Sequence, residues 1–346
     1  MATDILLVSL GTTAGWRGAD AQLAAAIERA GATVATVAAG PVPQVRTFMA
    51  TDLVQARACR AAALRGIAEH APRGLIYASS TAALLAPRAG AIWFDAPAAG
   101  NRRGRDGLWQ RPVERRRMTA APLLLPMSEQ SLAPLPAAVR AATPAVVLPV
   151  PVEPSAPAAV LADAAQAASP ADAASAPSLA RDVAAIAYAA DRVKKGLDRI
   201  LAAWAQARRP GETLLVAGQS GPLGEGAEGT GLLAPEGYRA LLRRARVFVA
   251  APLREDHGIA QLEALADGCR LVSTPATGPY PAYGLARALN PRYVGDDLAA
   301  QLRAALDDGA ADDGYAARAR ELLLPYRRAS FDAAVRERVL PLLLGR

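Results

Sequence analysis

Residues 254–283 read R-E-D-H-G-I-A-Q-L-E-A-L-A-D-G-C-R-L-V-S-T-P-A-T-G-P-Y-P-A-Y, and their reading decides the fold. Just ahead of them, Val247 to Ala251 is an uncharged apolar run ending at Pro252, the pattern of a parallel strand buried on both faces. A charged loop follows, then a helix expected to begin near Gly258. That helix would place Ile259, Leu262, Leu265 and Ala266 on one apolar face and stop at Gly268. Leu271 and Val272 begin another strand.

A strand, a polar loop and a helix N-terminus make an anion site. The first backbone N–H groups of the helix have no intrahelical partner and point outward with the positive end of the dipole. Glu255 lies just before this end, and Glu263 leans back toward it because helical side chains tilt toward the N-terminus. Two carboxylates therefore flank a phosphate-sized hole. Because carboxylates repel phosphate, they read as acceptors for hydroxyl groups on either side of it, such as those of a ribose and a sugar. That combination describes a nucleotide-sugar.

Glu255 and Glu263, with seven residues between them, resemble the E-x7-E signature of family-4 (group 1) glycosyltransferases with the GT-B fold. Gly258, Ala264, Leu265, Gly268 and the strand Arg270 to Thr274 match the surrounding pattern. The resemblance implies that Glu263 binds the donor ribose and Glu255 contacts the donor hexose. It implies that His257, Gly258, Ile259 and Ala260 bring the donor-binding amides to the diphosphate. Two glutamates on an ordinary solvated helix face are the alternative reading.

The rest of the chain is compatible with a large α/β enzyme. Its 346 residues, 52% hydrophobic, suffice for two cores. No apolar run reaches the roughly 18 residues of a transmembrane helix. The start, M-A-T-D-I-L-L-V, has no basic segment before its apolar run, so a secretion signal is not expected. The expected location is cytoplasmic, with peripheral attachment to a membrane open. Cys59 and Cys269 stand far apart with no C-x-x-C, and both are expected to be buried thiols. The net charge of +7 suits an enzyme that handles phosphates or an anionic surface as well as nucleic acid. No interleaved aromatic pattern of an RNA-binding module accompanies the arginines, so nucleic acid is not an expected partner.

The N-terminal half opens with a strand at Ile5 to Ser9, a glycine-rich stretch, an Ala-rich helix through Ala30 and a strand at Thr33 to Ala38, the opening of a doubly wound domain. The dinucleotide pattern G-x-G-x-x-G is absent. Gly15 and Gly18 read as a loop near acceptor and phosphate, Gly18-Ala19-Asp20 resembling the family's G-A-E, or as glycines that a turn needs for its own geometry. A helix over Leu53 to Glu69, a strand at Gly74 to Ala78, a short helix near Thr81 to Leu85 and a strand at Ala91 to Phe94 follow. Asp95, at that strand's end, stands where many relatives carry a histidine. It reads either as an acceptor-hydroxyl contact or as a turn cap. Residues 101–117 gather Arg102, Arg103, Arg105, Arg111, Arg115, Arg116 and Arg117 against Asp106 and Glu114. These are a solvated helix face, or else the loop ending at Trp109 meets an anionic acceptor or a membrane surface. Ala145 to Val150 is read as the half's last strand.

The linker, 151–182, is rich in alanine and proline and reads as a short helix and a mobile loop. Val183 to Tyr188 opens the second lobe. Lys195-Gly196-Leu197-Asp198 resembles the family's K-G-x-D turn, whose lysine neutralises the departing diphosphate. The family's arginine five residues earlier is Ala190 here, and Arg192 is the candidate substitute. Leu214 to Ala217 is a strand, and Gly218 to Gly231 is read as too glycine-rich for regular structure, a flexible connection rather than a phosphate cradle. Leu233 falls where relatives hold the donor base. A helix spans Tyr238 to Ala245, and another ends the chain over Tyr326 to Leu344.

By resemblance the fold is α/β, GT-B, with two doubly wound Rossmann-like domains facing a central cleft. The acceptor-side domain is 1–150 and the nucleotide-sugar domain 183–325, with 326–346 crossing back to the first. The implied activity is retaining hexosyl transfer from a nucleoside-diphosphate sugar to an acceptor hydroxyl, without metal or cofactor. Lys195, Glu255, Arg192 and Asp95 are the candidate catalytic residues. The acceptor is unidentified, with anionic and membrane-associated molecules in view. A non-catalytic nucleotide-sugar-binding protein, or a partner of an active relative, is the alternative from another class. A nucleotide-sugar epimerase is a further one.

Overall fold

A computed structural model describes residues 3–12, 14–40, 42, 45, 47–102, 104–155, 181–308 and 314–345. The chain forms two compact units, Met1–Pro151 with Pro325–Arg346, and Val152–Leu324. The linker helix and loop expected within 156–180 lie outside the described residues.

The first unit runs β1 (Ile5–Ser9), α1 (Ala14–Arg29), β2 (Val34–Ala38), α2 (Phe48–His70), β3 (Gly74–Tyr77), α3 (Ser80–Ala83), β4 (Ala91–Phe94), α4 (Ala98–Asn101), α5 (Gln110–Thr119), β5 (Leu124–Pro126) and α6 (Ala137–Ala142). The strands form one parallel sheet in the order β2-β1-β3-β4-β5. Every residue of β1, β3, β4 and β5 is buried, which is why these strands read as continuous apolar runs without alternation. Their side chains form a core with Cys59, Ala63 and Met118 from the covering helices. Two expectations need correction. Gly15 and Gly18 lie inside α1, exposed, with open space where a Cβ would sit. The positive-φ glycine of this loop is Gly11, at φ 67. Ala145 to Val150 is no regular strand: it runs beside β5 through Val146 N–H to Leu124 O and Leu148 N–H to Pro126 O, at 2.9 and 2.8 Å. Pro149 follows the paired donor Leu148, so its missing N–H lies on the side away from β5, as suits an irregular edge.

The second unit runs β6 (Val183–Tyr188), α7 (Leu197–Ala207), β7 (Leu214–Ala217), β8 (Ser220–Gly224), β9 (Ala227–Gly231), α8 (Pro235–Arg244), β10 (Ala245–Ala250), α9 (Ile259–Ala266), β11 (Arg270–Ser273), α10 (Pro281–Leu289), α11 (Leu298–Asp307) and α12 (Tyr315–Leu322). Its sheet has the order β11-β10-β6-β7-β9-β8, parallel except for the β8–β9 hairpin. That hairpin overturns the reading of Gly218 to Gly231 as irregular. The glycines serve it: Gly218, Gly221, Gly226 and Gly231 have positive φ, and a Cβ on Gly229 would collide with the backbone of Gln219. Trp204 Nε1 donates to the Gly226 carbonyl at 3.1 Å and fastens the turn to α7.

The tail belongs to the first unit as α13 (Arg328–Ala334) and α14 (Leu340–Leu344), separated by a π turn over Val335–Val339. The expected tail helix forms as one helical run over 328–344, preceded by a 3-10 turn at Leu324–Tyr326 and carrying that π turn within it. Pro341 lacks the N–H that an ordinary turn would bond to Glu337, and the widened turn precedes it. Phe331 packs against Trp93 at 6.3 Å between ring centroids, and Arg29 forks onto Asp332 at 2.8 and 2.7 Å. Cys59 and Cys269 are buried free thiols, both pushed up to about 12, chiefly by burial.

Candidate functional site

The candidate donor site is built where β6 and β10 end and α9 begins. After Ala250 the chain turns through Ala251 to His257, and Gly258, at φ 86, admits it to the helix. A Cβ there would press on Ala282 and the Tyr280 ring at 3.0 Å, so the position needs glycine for both space and conformation. Glu255 is held on both sides of its backbone. Its N–H donates to the Thr277 carbonyl at 3.0 Å, and the chain at Gly278, φ 113, comes so close to its carbonyl that no Cβ fits. Ile259 and Ala260 present the unpaired first N–H groups of α9, partly exposed.

Lys195 arrives from the other side. Gly196, at φ 65, ends its turn and lies against the Ala251 carbonyl, where a Cβ would collide. Leu253 N–H donates to the Lys194 carbonyl at 3.1 Å. The two loops are thus locked together, and Lys195 Nζ meets Glu255 Oε2 at 2.6 Å. The Tyr188 ring lies beneath the ammonium, 6.0 Å from Nζ to centroid. Behind the carboxylate, Gln261 Nε2 reaches Glu255 Oε2 at 3.5 Å and the Tyr280 hydroxyl at 3.2 Å. That hydroxyl is 2.8 Å from Ser273 Oγ. His257 is buried, and burial pushes its pKa down to about 4 against the pull of Glu255, so the imidazole is neutral at neutral pH.

Glu263 has its own cation. Arg239 of α8 reaches Glu263 Oε1 at 3.4 Å, Asp267 Oδ2 at 2.7 Å and the Glu153 carbonyl at 2.7 Å. Asp267 also accepts from Ser155 N–H and Oγ at 2.7 and 3.0 Å. Burial raises the Glu263 pKa while Arg239 opposes the rise. Tyr188 and Tyr238 stand edge to face at 5.8 Å, with Lys195 beside the first and the Glu263 charge acting on the second. Both carboxylates, the lysine and the helix N-terminus therefore belong to one surface of the second unit.

Arg192 stands on the turn that carries Lys195, its carbonyl accepting from Leu197 N–H at 2.9 Å. It pairs with Asp198 at 2.5 Å, both exposed, so its charge is already answered on its own turn. Leu233 follows β9, 37% exposed. Asp95 lies in the first unit, where Oδ1 accepts from the adjacent Ala96 N–H at 2.7 Å and its carbonyl accepts from Ser131 Oγ at 2.5 Å. Near β1 of the same unit is a cavity of about 800 Å³ whose lining includes Ser9, Gly11, Arg17, Asp20, Thr36 and Gln55. Ser9 Oγ donates to Asp20, and burial pushes the Asp20 pKa up to about 6. Arg239, Gln261 and Tyr280 escaped the sequence reading. Gln261, between the two glutamates and on their helix, could have been found there. Arg239 lies 24 residues before Glu263 and carries no local signal.

Residues 180–308 match the family model described as glycosyl transferases group 1. No curated protein matches the chain in sequence. Among solved structures, WaaG, a glycosyltransferase involved in lipopolysaccharide biosynthesis, is similar at 14% identity and a TM-score of 0.65, covering 99% of this chain and 100% of its own. Sucrose-phosphate synthase from Thermosynechococcus elongatus has 16% identity, a TM-score of 0.67 and 96% coverage of each chain. HepE from Anabaena, solved with UDP and glucose, has 13% identity, a TM-score of 0.63 and coverage of 97% and 99%. The fold is that of the GT-B glycosyltransferases, and the group 1 resemblance is borne out over the second unit.

Proposed function

We propose that this chain, GT-B in fold and matched by the group 1 glycosyltransferases over residues 180–308, moves a hexosyl group from a nucleoside-diphosphate sugar to an acceptor hydroxyl with retention and without a metal. The observation that carries the proposal is the Lys195–Glu255 pair, 2.6 Å apart at the entrance of α9, with Glu263 about one turn into that helix. An ammonium and helix N–H groups meet a diphosphate, Glu263 takes ribose hydroxyls and Glu255 takes a sugar hydroxyl. The bond from the anomeric carbon to the diphosphate breaks as the acceptor oxygen bonds to the same face. The acceptor proton passes to the leaving phosphate oxygen. Lys195 and the helix amides stabilise the charge growing on that phosphate, a preorganised electrostatic task.

A nucleotide-sugar-binding protein without turnover is the second reading, favoured by the engagement of Arg192 with Asp198 and by Ala190 in place of arginine. A thermal-shift screen of nucleoside diphosphates and their sugars tests both. A ligand at 100 times its dissociation constant stabilises by about 2.7 kcal/mol. Stabilisation together with slow release of free sugar supports the transferase, while stabilisation with no turnover in any condition supports the binding protein. No shift with any nucleotide would remove the donor site altogether.

A further inference from the structure

Two apolar side chains stand out of the first unit beside its most basic stretch. Phe48, which opens α2, is 65% exposed, and Leu108, two residues before α5, is 64% exposed. One joint carries both. The Arg102 guanidinium lies 5.4 Å from the centroid of the Phe48 ring and forks onto Asp52 at 2.6 and 2.9 Å. Gln110 Nε2 donates to the same carboxylate at 3.2 Å, and the Trp109 indole N–H donates to the Met49 carbonyl at 3.4 Å.

The exposed charge around this joint is almost entirely of one sign. Arg105 is exposed in the turn before Leu108. Arg111 bonds the Gly107 and Gly104 carbonyls at 3.2 and 2.9 Å, which are neutral acceptors that leave its charge uncompensated. On α5 the buried face is Gln110, Glu114 and Met118, which leaves Arg115 on the exposed side. Asp52 and Glu114 are buried and bonded inward, and Asp106 is the half-exposed acid that remains in this stretch.

We propose that this face docks on an anionic phospholipid bilayer. Phe48 and Leu108 enter the interfacial layer, while Arg105, Arg111 and Arg115 meet headgroup phosphates. Protruding apolar tips ringed by cations suit a fluid apolar layer beneath an anionic one, and arginine stems can lie along that boundary with their heads in the phosphates. A nucleic acid would use the arginines but gain nothing from an exposed leucine. Every residue involved lies in the first unit, so the inference stands or falls apart from the donor site.

The test is sedimentation of the full chain with vesicles of phosphatidylcholine alone or with one third phosphatidylglycerol. Partition onto the anionic vesicles should exceed that onto the neutral ones by about tenfold or more and fall between 0.1 and 0.5 M salt, as a basic side chain near such a surface contributes about fivefold. Arg105→Glu should lower it by about fivefold or more, and the double variant Phe48→Ser/Leu108→Ser by about tenfold, with the thermal midpoint held. Arg336→Glu, exposed elsewhere on the chain, should bind as the parent does. Equal binding to both vesicles, no binding, or a Phe48→Ser/Leu108→Ser protein that binds like the parent would each overturn the proposal, the last by marking the face as a plain polyanion surface.

Discussion

Lys195 and Glu255, sixty residues apart in the chain, meet as a 2.6 Å ion pair over the ring of Tyr188. The cation proposed to receive the diphosphate is thus held by the carboxylate proposed to receive the sugar. The two groups neutralise each other until a donor arrives. Both are largely buried, so the pair is shielded from the solvent that makes surface pairs weak. A phosphate entering this site competes with Glu255 for the ammonium.

Lys195→Ala should lower turnover by about 10² or more at saturating donor, the usual consequence of removing one donor aimed at developing charge. Steady-state kinetics check this, and unchanged turnover would place the diphosphate elsewhere.

Glu255→Gln should bind free nucleoside diphosphate at least as tightly as the parent, because it releases Lys195 and deletes a negative charge beside phosphate, while transfer falls. Glu263→Ala should instead weaken nucleoside diphosphate and nucleotide-sugar alike, by about 1.5 to 3 kcal/mol for a lost charged hydrogen bond. Calorimetry on the two variants separates the roles, and equal losses in both would defeat the assignment.

Nucleotide binding should depend on pH through Arg239. Burial raises the Glu263 pKa, and Arg239 holds it down more than Asp267 pushes it up. The double variant Arg239→Gln/Asp267→Asn removes both charges, so Asp267 is not left buried without its cation while Glu263 loses its own, and the Glu263 pKa should rise further. Its affinity for nucleoside diphosphate should then begin to fall at a higher pH than the parent's as the solution is acidified. Coincident affinity curves between pH 8 and 5.5 would show that Arg239 does not set the charge of Glu263.

Glu114 gives a second pH effect, on stability. Burial pushes its pKa up to about 7 although its oxygens accept from Ala98 N–H at 2.8 Å. A carboxyl raised on folding binds its proton more tightly in the folded state. Its contribution is therefore complete below about pH 4.5 and is lost as pH rises through 7. Glu114→Gln keeps an acceptor for Ala98 and cannot ionise. The stability of the variant relative to the parent should rise across that window, on the order of a few kcal/mol, in denaturant titrations at pH 5 and 7.5.

What the sequence determined by itself is local or periodic. The buried parallel strands were legible because strands covered on both faces must be apolar throughout, as in β1, β3 and β10. The start of α9 was legible because its left-handed entrance requires Gly258. The Gly218 to Gly231 hairpin was not, since glycine density signals freedom from side chains without saying whether a neighbouring strand will use it. β7 and Gln219 do use it here. Tertiary structure alone decided the partners of the charged groups. Lys195 could be placed on its turn from the sequence, but its pairing with Glu255 depends on β6 and β10 lying side by side. Likewise Arg239 finds Glu263 and Asp267 because α8 and α9 both pack in the second unit. Arg192 and Asp198 close their pair within one turn, where the nearer carboxylate wins. A charge on a long side chain goes to whichever opposite charge the fold brings within reach, and sequence spacing does not encode that distance.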